Sequence, residues 1–79
     1  MENARLHWQC RRGMLELDLL LSDFLSNGYE LLEHQQQKIF IDLLETPDPE
    51  LFEYLMRRSV HKEAHVQDVI NTIISTTRN

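Results

Sequence analysis

The chain has 79 residues, of which 42% are hydrophobic, and thirteen acidic against eight basic side chains give it a formal net charge of −5. A chain of this length folds around one small core, and its hydrophobic fraction is too high for a disordered protein. The acidic balance argues against a nucleic-acid partner, because proteins that neutralise phosphates normally carry a basic excess. We therefore expect residues 1–79 to form a single domain that binds no nucleic acid.

The cysteine content and the pattern of apolar residues indicate the cellular compartment in which the protein is found. Cys10 is the single cysteine and has no internal disulfide partner, which is typical of a reducing environment. No apolar run approaches the ~20 residues of a membrane-spanning helix, and the N-terminus lacks the apolar segment of a signal peptide. The absence of an Arg-rich leader favours a bacterial protein or a mature chain. We expect a cytoplasmic (bacterial) protein with no direct membrane insertion.

The first predicted helix contains Ala4, Leu6 and Cys10 and ends at the sequence "RRG". Two arginines in a last turn oppose the negative end of the helix dipole, and glycine is the usual residue at the left-handed position that follows. We therefore predict that the helix ends here, with Gly13 in the left-handed region.

The second predicted helix is defined by apolar residues three or four positions apart, namely Leu17, Leu20, Leu21, Phe24 and Leu25. Glu16 and Asp18 lie in its first turns, where carboxylates favour the positive end of the dipole. Gly28 ends this helix. Helical spacing also places the leucines of "LELDLLL" in the core.

Three further helices are predicted from the same periodicity. The third begins near His34 or Gln35. The fourth has Asp48 as its N-cap and Pro49 as its first residue, because an N–H at that position has no intrahelical partner. The apolar residues that define the three helices are Ile39, Phe40, Leu43 and Leu44; Leu51, Phe52, Leu55 and Met56; and Val66, Val69, Ile70, Ile73 and Ile74. The sequence therefore predicts an all-α fold, a single-domain bundle of about five short helices.

The sequence contains no recognisable catalytic or metal-binding motif. Its two glycines are too few for a glycine-rich phosphate loop, and it has neither a nucleophile elbow nor an HExxH pattern. His61 and His65 are four residues apart, but zinc takes three or four ligands, so two make a weak site. Cys10 is interpreted as a small, partly buried packing residue. We therefore predict no catalytic residues and no metal.

The charged turn before the second helix has two interpretations. In the first, its residues only end one helix and pair locally, and exposed ion pairs of this kind contribute ~0–1 kcal/mol. In the second, they bind a partner: Gly13 permits close approach, Arg12 supplies a forked donor and Glu16 supplies an acceptor. Periodicity does not distinguish the two.

Two blocks of the sequence resemble one family. "RRGMLELD" is similar to the RGxxE signature of the SdhE family, the succinate dehydrogenase flavinylation factors of bacteria and mitochondria, and "HW" lies just upstream. "FIDLLETPDPELFEYL" resembles the family's FxxLLExxDPxLxxWL region, with Tyr54 where an aromatic residue is usual. The resemblance extends from about Arg5 to Met56.

The resemblance implies a five-helix bundle and a role in assembly. A member of this family helps FAD become covalently attached to a histidine of the flavoprotein subunit of succinate dehydrogenase and, in bacteria, of fumarate reductase. It is an assembly chaperone rather than an enzyme. It holds no cofactor durably, since FAD belongs to the client protein, and we expect it to be a monomer.

The resemblance also identifies client-binding residues. The signature positions are Arg12, Gly13 and Glu16, and the neighbours expected on the same face are Arg11, Asp18, His7 and Trp8. An alternative function is that of an antitoxin-like interaction module that neutralises a membrane-associated toxin, because members of the family have also been assigned this role.

Overall fold

The computed structural model describes residue 8 and residues 10–77, and this part of the chain is helical without strands. Its elements in chain order are α1 (Leu15–Asn27), a 3-10 turn (Tyr29–Leu31), α2 (His34–Leu43), α3 (Asp48–Leu55) and α4 (Ala64–Thr77). The predicted all-α fold is confirmed. The first predicted helix falls mainly outside the described residues, of which Trp8 is helical and Cys10 lies in a turn. No helix among the described residues is long and apolar enough to cross a membrane.

Helix α1 turns one of its faces into the core. Leu17, Leu21 and Phe24 are fully buried, whereas Leu15 and Leu19 are 67% and 61% exposed. Residues four positions apart lie on the same face of a helix, so Leu15 and Leu19 share the exposed face. The prediction that all leucines of this stretch are core residues is wrong for these two, because closely spaced leucines cannot all face one side of a helix.

The end of α1 at Gly28 is confirmed, and it serves close packing. The Gly28 N–H donates to the Phe24 carbonyl at 2.7 Å, and the glycine φ of −129° is one that any residue can adopt. A Cβ atom here would lie 2.6 Å from Cε1 of Phe24 and 2.9 Å from Cγ2 of Thr76. The missing side chain therefore lets the end of α1 approach the end of α4.

The core is formed where α4 contacts each of the other three helices. The Phe40 ring lies 5.2 Å from the Phe24 ring and 5.6 Å from the Tyr29 ring, measured between centroids. Full burial of a large apolar side chain contributes about 1.5–3 kcal/mol, so these contacts hold the bundle together. The buried residues are Cys10, Leu17, Leu21, Phe24, Leu25, Leu32, Phe40, Leu43, Leu44, Leu51, Leu55, Val69, Ile70 and Ile73.

Helix α3 begins one residue earlier than predicted. Asp48 is its first residue and Pro47 its N-cap, so the assignment of Asp48 as N-cap and Pro49 as first residue is wrong by one position. No side chain caps this helix. The Asp48 carboxylate instead accepts a hydrogen bond from Arg12, a residue distant in sequence.

Helix α3 is followed by an arginine in the left-handed region, a conformation that the sequence did not predict. Arg57 has a φ of 64°. The next residue, Arg58, then donates its N–H to the Glu53 carbonyl at 2.8 Å, which closes the end of the helix. Glycine usually occupies this position, since a side chain makes the left-handed conformation unfavourable.

Candidate functional site

The turn before α1 is tied to that helix through Asp18. The Arg12 N–H donates to Oδ1 of Asp18 at 3.3 Å, and Nε of Arg11 lies 3.8 Å from the same oxygen. The Asp18 N–H donates to the Met14 carbonyl at 3.0 Å, which starts the helical hydrogen bonding of α1. Asp18 is therefore a partner of the turn rather than a free charge on the surface.

The Arg12 side chain points inward, and only 12% of it is exposed. Its Nη1 donates to Oδ1 of Asp48 at 3.1 Å and to the Thr46 carbonyl at 3.5 Å, and its Nη2 donates to the Leu44 carbonyl. Its Nε is buried without a hydrogen-bond partner among the described residues. The forked donor that we predicted for a partner thus binds the α2–α3 loop and the first residue of α3 in its own chain.

Sequence reasoning missed the role of Asp48 in this arrangement. The sequence predicted that the Asp48 carboxylate caps α3. Its observed partner is Arg12, which lies 36 positions away in the chain. One signal was present in the sequence. Both residues fall inside the two blocks that resemble the SdhE family, and opposite charges in two such blocks are candidates for a pair.

Gly13 is exposed, and nothing among the described residues requires a glycine there. Its φ is not positive, so the predicted left-handed conformation is wrong. The chain leaves the turn through residues that are neither helical nor left-handed before α1 begins. A Cβ atom added at Gly13 would meet no atom of the described residues within 4 Å. The position therefore offers bare backbone to the solvent.

Glu16 and two apolar side chains form the outer face of the first turns of α1. Glu16 is exposed, and the described residues give its carboxylate no hydrogen bond or ion pair. Leu15 and Leu19 are exposed on either side of it in the sequence. A carboxylate that has no partner among the described residues and lies between apolar side chains is suited to contact with another molecule.

The remaining predicted site residues are Trp8, Arg11 and His7. Trp8 is 75% exposed, and its carbonyl accepts a hydrogen bond from the Arg11 N–H at 3.1 Å. The Arg11 side chain is largely exposed beside Asp18. His7 lies outside the described residues. The structure thus brings together Arg11, Arg12 and Asp18 by direct contacts.

Cys10 is fully buried next to this turn. Burial raises the pKa of its thiol to about 11, although the nearby Arg12 guanidinium acts in the opposite direction. The thiolate is the reactive form of cysteine, and at neutral pH this side chain stays protonated. Cys10 is therefore a packing residue of the core.

His61 and His65 lie at a separate cavity of about 300 Å³ between α2 and the start of α4. His61 precedes α4, so the two imidazoles do not share a helix face. Nε2 of His65 lies 3.1 Å from Oε1 of Glu63, and Nδ1 of His61 accepts the Glu63 N–H at 3.0 Å. Within the described part of the chain, no three His, Cys, Asp or Glu side chains are grouped so that they could hold a metal.

Comparisons with known proteins cover nearly all of the chain. The family model described as "Flavinator of succinate dehydrogenase" matches residues 4–77. A "FAD assembly factor SdhE" of Pectobacterium atrosepticum is 38% identical over 76 residues, which span 96% of this chain and 84% of that protein. Proteins of the same name from Shewanella oneidensis and Yersinia pseudotuberculosis are 50% and 37% identical, over 76% and 95% of this chain and 73% and 85% of theirs. The match to the family model includes the charged turn and all of α1 to α4.

Proposed function

Since the chain belongs to the succinate dehydrogenase flavinator family, we propose that it binds the flavoprotein subunit of succinate dehydrogenase and promotes covalent attachment of FAD to a histidine of that client. It acts as an assembly chaperone and not as an enzyme, and FAD stays with the client. The flavoprotein subunit of fumarate reductase is a second client. The chain works as a monomer in the bacterial cytoplasm.

The client-binding surface in this proposal is the turn before α1 together with the first turns of that helix. Its residues are Arg11, Arg12, Gly13, Glu16, Asp18, His7 and Trp8. A hydrogen bond from the Arg12 N–H to Asp18 and an ion pair between Arg11 and Asp18 hold the turn in place. The exposed members then meet the client.

The open space around Gly13 carries the proposal. The interpretation of this turn as simple helix punctuation requires a left-handed glycine, and Gly13 does not have a positive φ. Glycine raises the conformational entropy of the unfolded chain, so it is unfavourable at a position where alanine would fit. Because alanine would meet no neighbour among the described residues, contact with another protein is the better explanation of the glycine.

The contribution to flavin attachment is one of geometry. The client histidine and the flavin must be held at near-attack distance, and charge that develops on the flavin must be stabilised. A partner that binds one arrangement of the client's domains raises the population of that arrangement. Glu16 accepts a charged hydrogen bond from a cationic group of the client, and Gly13 permits backbone contact beside it.

The test is the amount of covalent flavin on the client, measured by in-gel fluorescence. Purified flavoprotein subunit that lacks covalent flavin is incubated with FAD and wild-type chain, or with the Glu16→Ala variant. Glu30→Ala is the matched control, since Glu30 is also exposed and lies beyond the opposite end of α1. We expect wild type and Glu30→Ala to support attachment and Glu16→Ala to lose most of it. Normal attachment with Glu16→Ala would contradict the proposed surface.

Growth of cells that lack the gene separates this function from the antitoxin alternative. Loss of a flavinylation factor prevents growth on succinate while growth on a fermentable carbon source continues. Loss of an antitoxin arrests growth on both. We expect the first result, with rescue by the wild-type gene but not by Glu16→Ala.

A further inference from the structure

We infer that Asp48 is a positioning residue for the client-binding turn and that it acts through Arg12. Its carboxylate, together with two carbonyl oxygens of the α2–α3 loop, fixes the Arg12 guanidinium. The guanidinium in turn fixes the backbone from which Gly13 and Glu16 meet the client. This inference rests on the proposed function and assigns a part in it to the first residue of α3, which the signature does not contain.

Arg12 is hydrogen-bonded through both its backbone and its side chain. Its backbone N–H donates to Asp18 of α1 at 3.3 Å, and its Nη1 donates to Asp48 of α3 at 3.1 Å. The Leu44 and Thr46 carbonyls accept the remaining side-chain hydrogen bonds. A residue that is bound at both its backbone and its side chain cannot rotate freely. The position of the next residue, Gly13, is therefore fixed as well.

The Asp48 carboxylate is available for this task because it does not cap its own helix. Pro47 takes the N-cap position of α3, and no side chain bonds to the first free N–H groups of the helix. Asp48 is half-buried, and Arg12 is its ion-pair partner. Hydrogen bonds between charged groups in such partly dry surroundings are stronger than neutral ones and fix geometry more tightly.

Loss of the Asp48 charge leaves a nearly buried cation with neutral acceptors only. A buried charge without a counter-charge is unfavourable, and the cheapest response is for the guanidinium to move towards water. That movement shifts the turn while Gly13 and Glu16 remain chemically intact. The expected result is weaker client binding without loss of the groups that touch the client.

The experiment compares wild type with Asp48→Asn in the flavinylation assay, at increasing concentrations of the flavoprotein subunit with FAD present. We expect the half-saturating client concentration to rise roughly tenfold while the saturating rate changes little. Amide hydrogen exchange at Gly13 and Glu16 should become faster, with the overall circular dichroism spectrum unchanged. Glu50→Gln is the matched control, because it also removes an acidic charge from the first turn of α3 but does not contact Arg12.

A double-variant cycle tests whether Asp48 acts through Arg12. If it does, Asp48→Asn adds little to the loss already caused by Arg12→Lys, since residues that act as one unit are non-additive. The inference would be overturned if the effects of the two substitutions on the half-saturating client concentration multiplied in the double variant. It would also be overturned if Asp48→Asn folded and had the half-saturating client concentration of wild type. If Asp48→Asn loses its helical circular dichroism spectrum, the half-saturating client concentration of a folded Arg12→Lys variant tests the inference instead. Lysine lacks the fork that bonds several acceptors at once.

The two proposals fail in different ways. Normal flavin attachment with Glu16→Ala contradicts the proposed surface itself. Normal half-saturation with Asp48→Asn, alongside a defective Glu16→Ala, contradicts only the positioning role. A defect in Glu50→Gln equal to that of Asp48→Asn also overturns the positioning role, because it assigns the loss to the charge at the start of α3.

Discussion

Arg12 and Asp48 lie 36 positions apart in the chain and form an ion pair of 3.1 Å between Nη1 and Oδ1. The pair joins the turn before α1 to the first residue of α3. It also joins the two sequence blocks that resemble the SdhE family, so the second block does more than supply core residues. Arg12 Nε remains buried without a partner among the described residues, at a cost of about 1–3 kcal/mol for such a donor. An arrangement with this cost is better explained by the placement of the turn than by stability alone.

The two faces of α1 predict opposite effects of leucine substitutions. Leu17→Ala should lower the free energy of unfolding by about 2–5 kcal/mol, because it leaves a cavity in the core. Leu19→Ala should change it by no more than about 0.5 kcal/mol, since Leu19 is mostly exposed. Urea unfolding followed by circular dichroism measures both. Similar losses for the two variants would contradict the burial of Leu17 and the exposure of Leu19 on opposite faces of α1.

Helical periodicity predicted the elements of this fold well, because each helix must bury one face. It could not choose which leucines of a crowded stretch face the core, since Leu15 and Leu17 fit helical spacing equally well. The signature singled out Gly13 and Glu16, which no periodicity identifies; both are exposed, and their contact with a client stays a prediction. The pairing of Arg12 stayed hidden because tertiary contacts between distant residues leave no local pattern.

The buried thiol of Cys10 predicts a loss of stability at alkaline pH. Burial raises its pKa from 9.0 to about 11 in the folded chain. A group whose pKa is higher in the folded state contributes stability that is complete below the unfolded pKa and is lost as the pH rises through the folded one. The free energy of unfolding should therefore fall by roughly 2–3 kcal/mol between about pH 9 and pH 11.

Cys10→Ala is the control for this alkaline transition, since tyrosine and lysine side chains titrate in the same range. Denaturant unfolding of both proteins at several pH values isolates the contribution of the thiol as the difference between the two curves. Parallel curves would mean that the thiol ionises as easily in the folded chain as in the unfolded one.

The left-handed Arg57 predicts a stabilising substitution. Arg57→Gly should raise the free energy of unfolding by about 0.5–1 kcal/mol, because glycine adopts a φ of 64° without steric cost. Arg57→Ala is the control, since it removes the long side chain but keeps the Cβ atom that causes the strain. Thermal unfolding should show a higher midpoint for the glycine variant alone. An equal gain for alanine would attribute the effect to the charge of the arginine.

The two glycines predict contrasting effects on stability. Gly28→Ala should lower the free energy of unfolding by about 1–3 kcal/mol, because its Cβ atom would lie 2.6 Å from the Phe24 ring. Gly13→Ala should leave it unchanged or raise it by up to about 1 kcal/mol, since the added methyl group meets none of the residues that the structure describes and restricts the unfolded chain. Thermal unfolding of the two variants checks both values. Unfolding of Gly13→Ala at a much lower temperature would restore the interpretation of this glycine as part of the helix end.

Gly13→Arg predicts a loss of function in a folded protein. The new side chain extends from a position that is open to solvent, so the bundle keeps its circular dichroism spectrum and its unfolding midpoint. The same side chain occupies the space through which a client approaches the backbone of the turn, so covalent flavin on the flavoprotein subunit should fall to a small fraction of the wild-type yield. Gly13→Ala, which adds a single methyl group, should give a flavin yield between that of wild type and that of Gly13→Arg. Full flavin attachment with a folded Gly13→Arg would show that the client does not contact this turn closely.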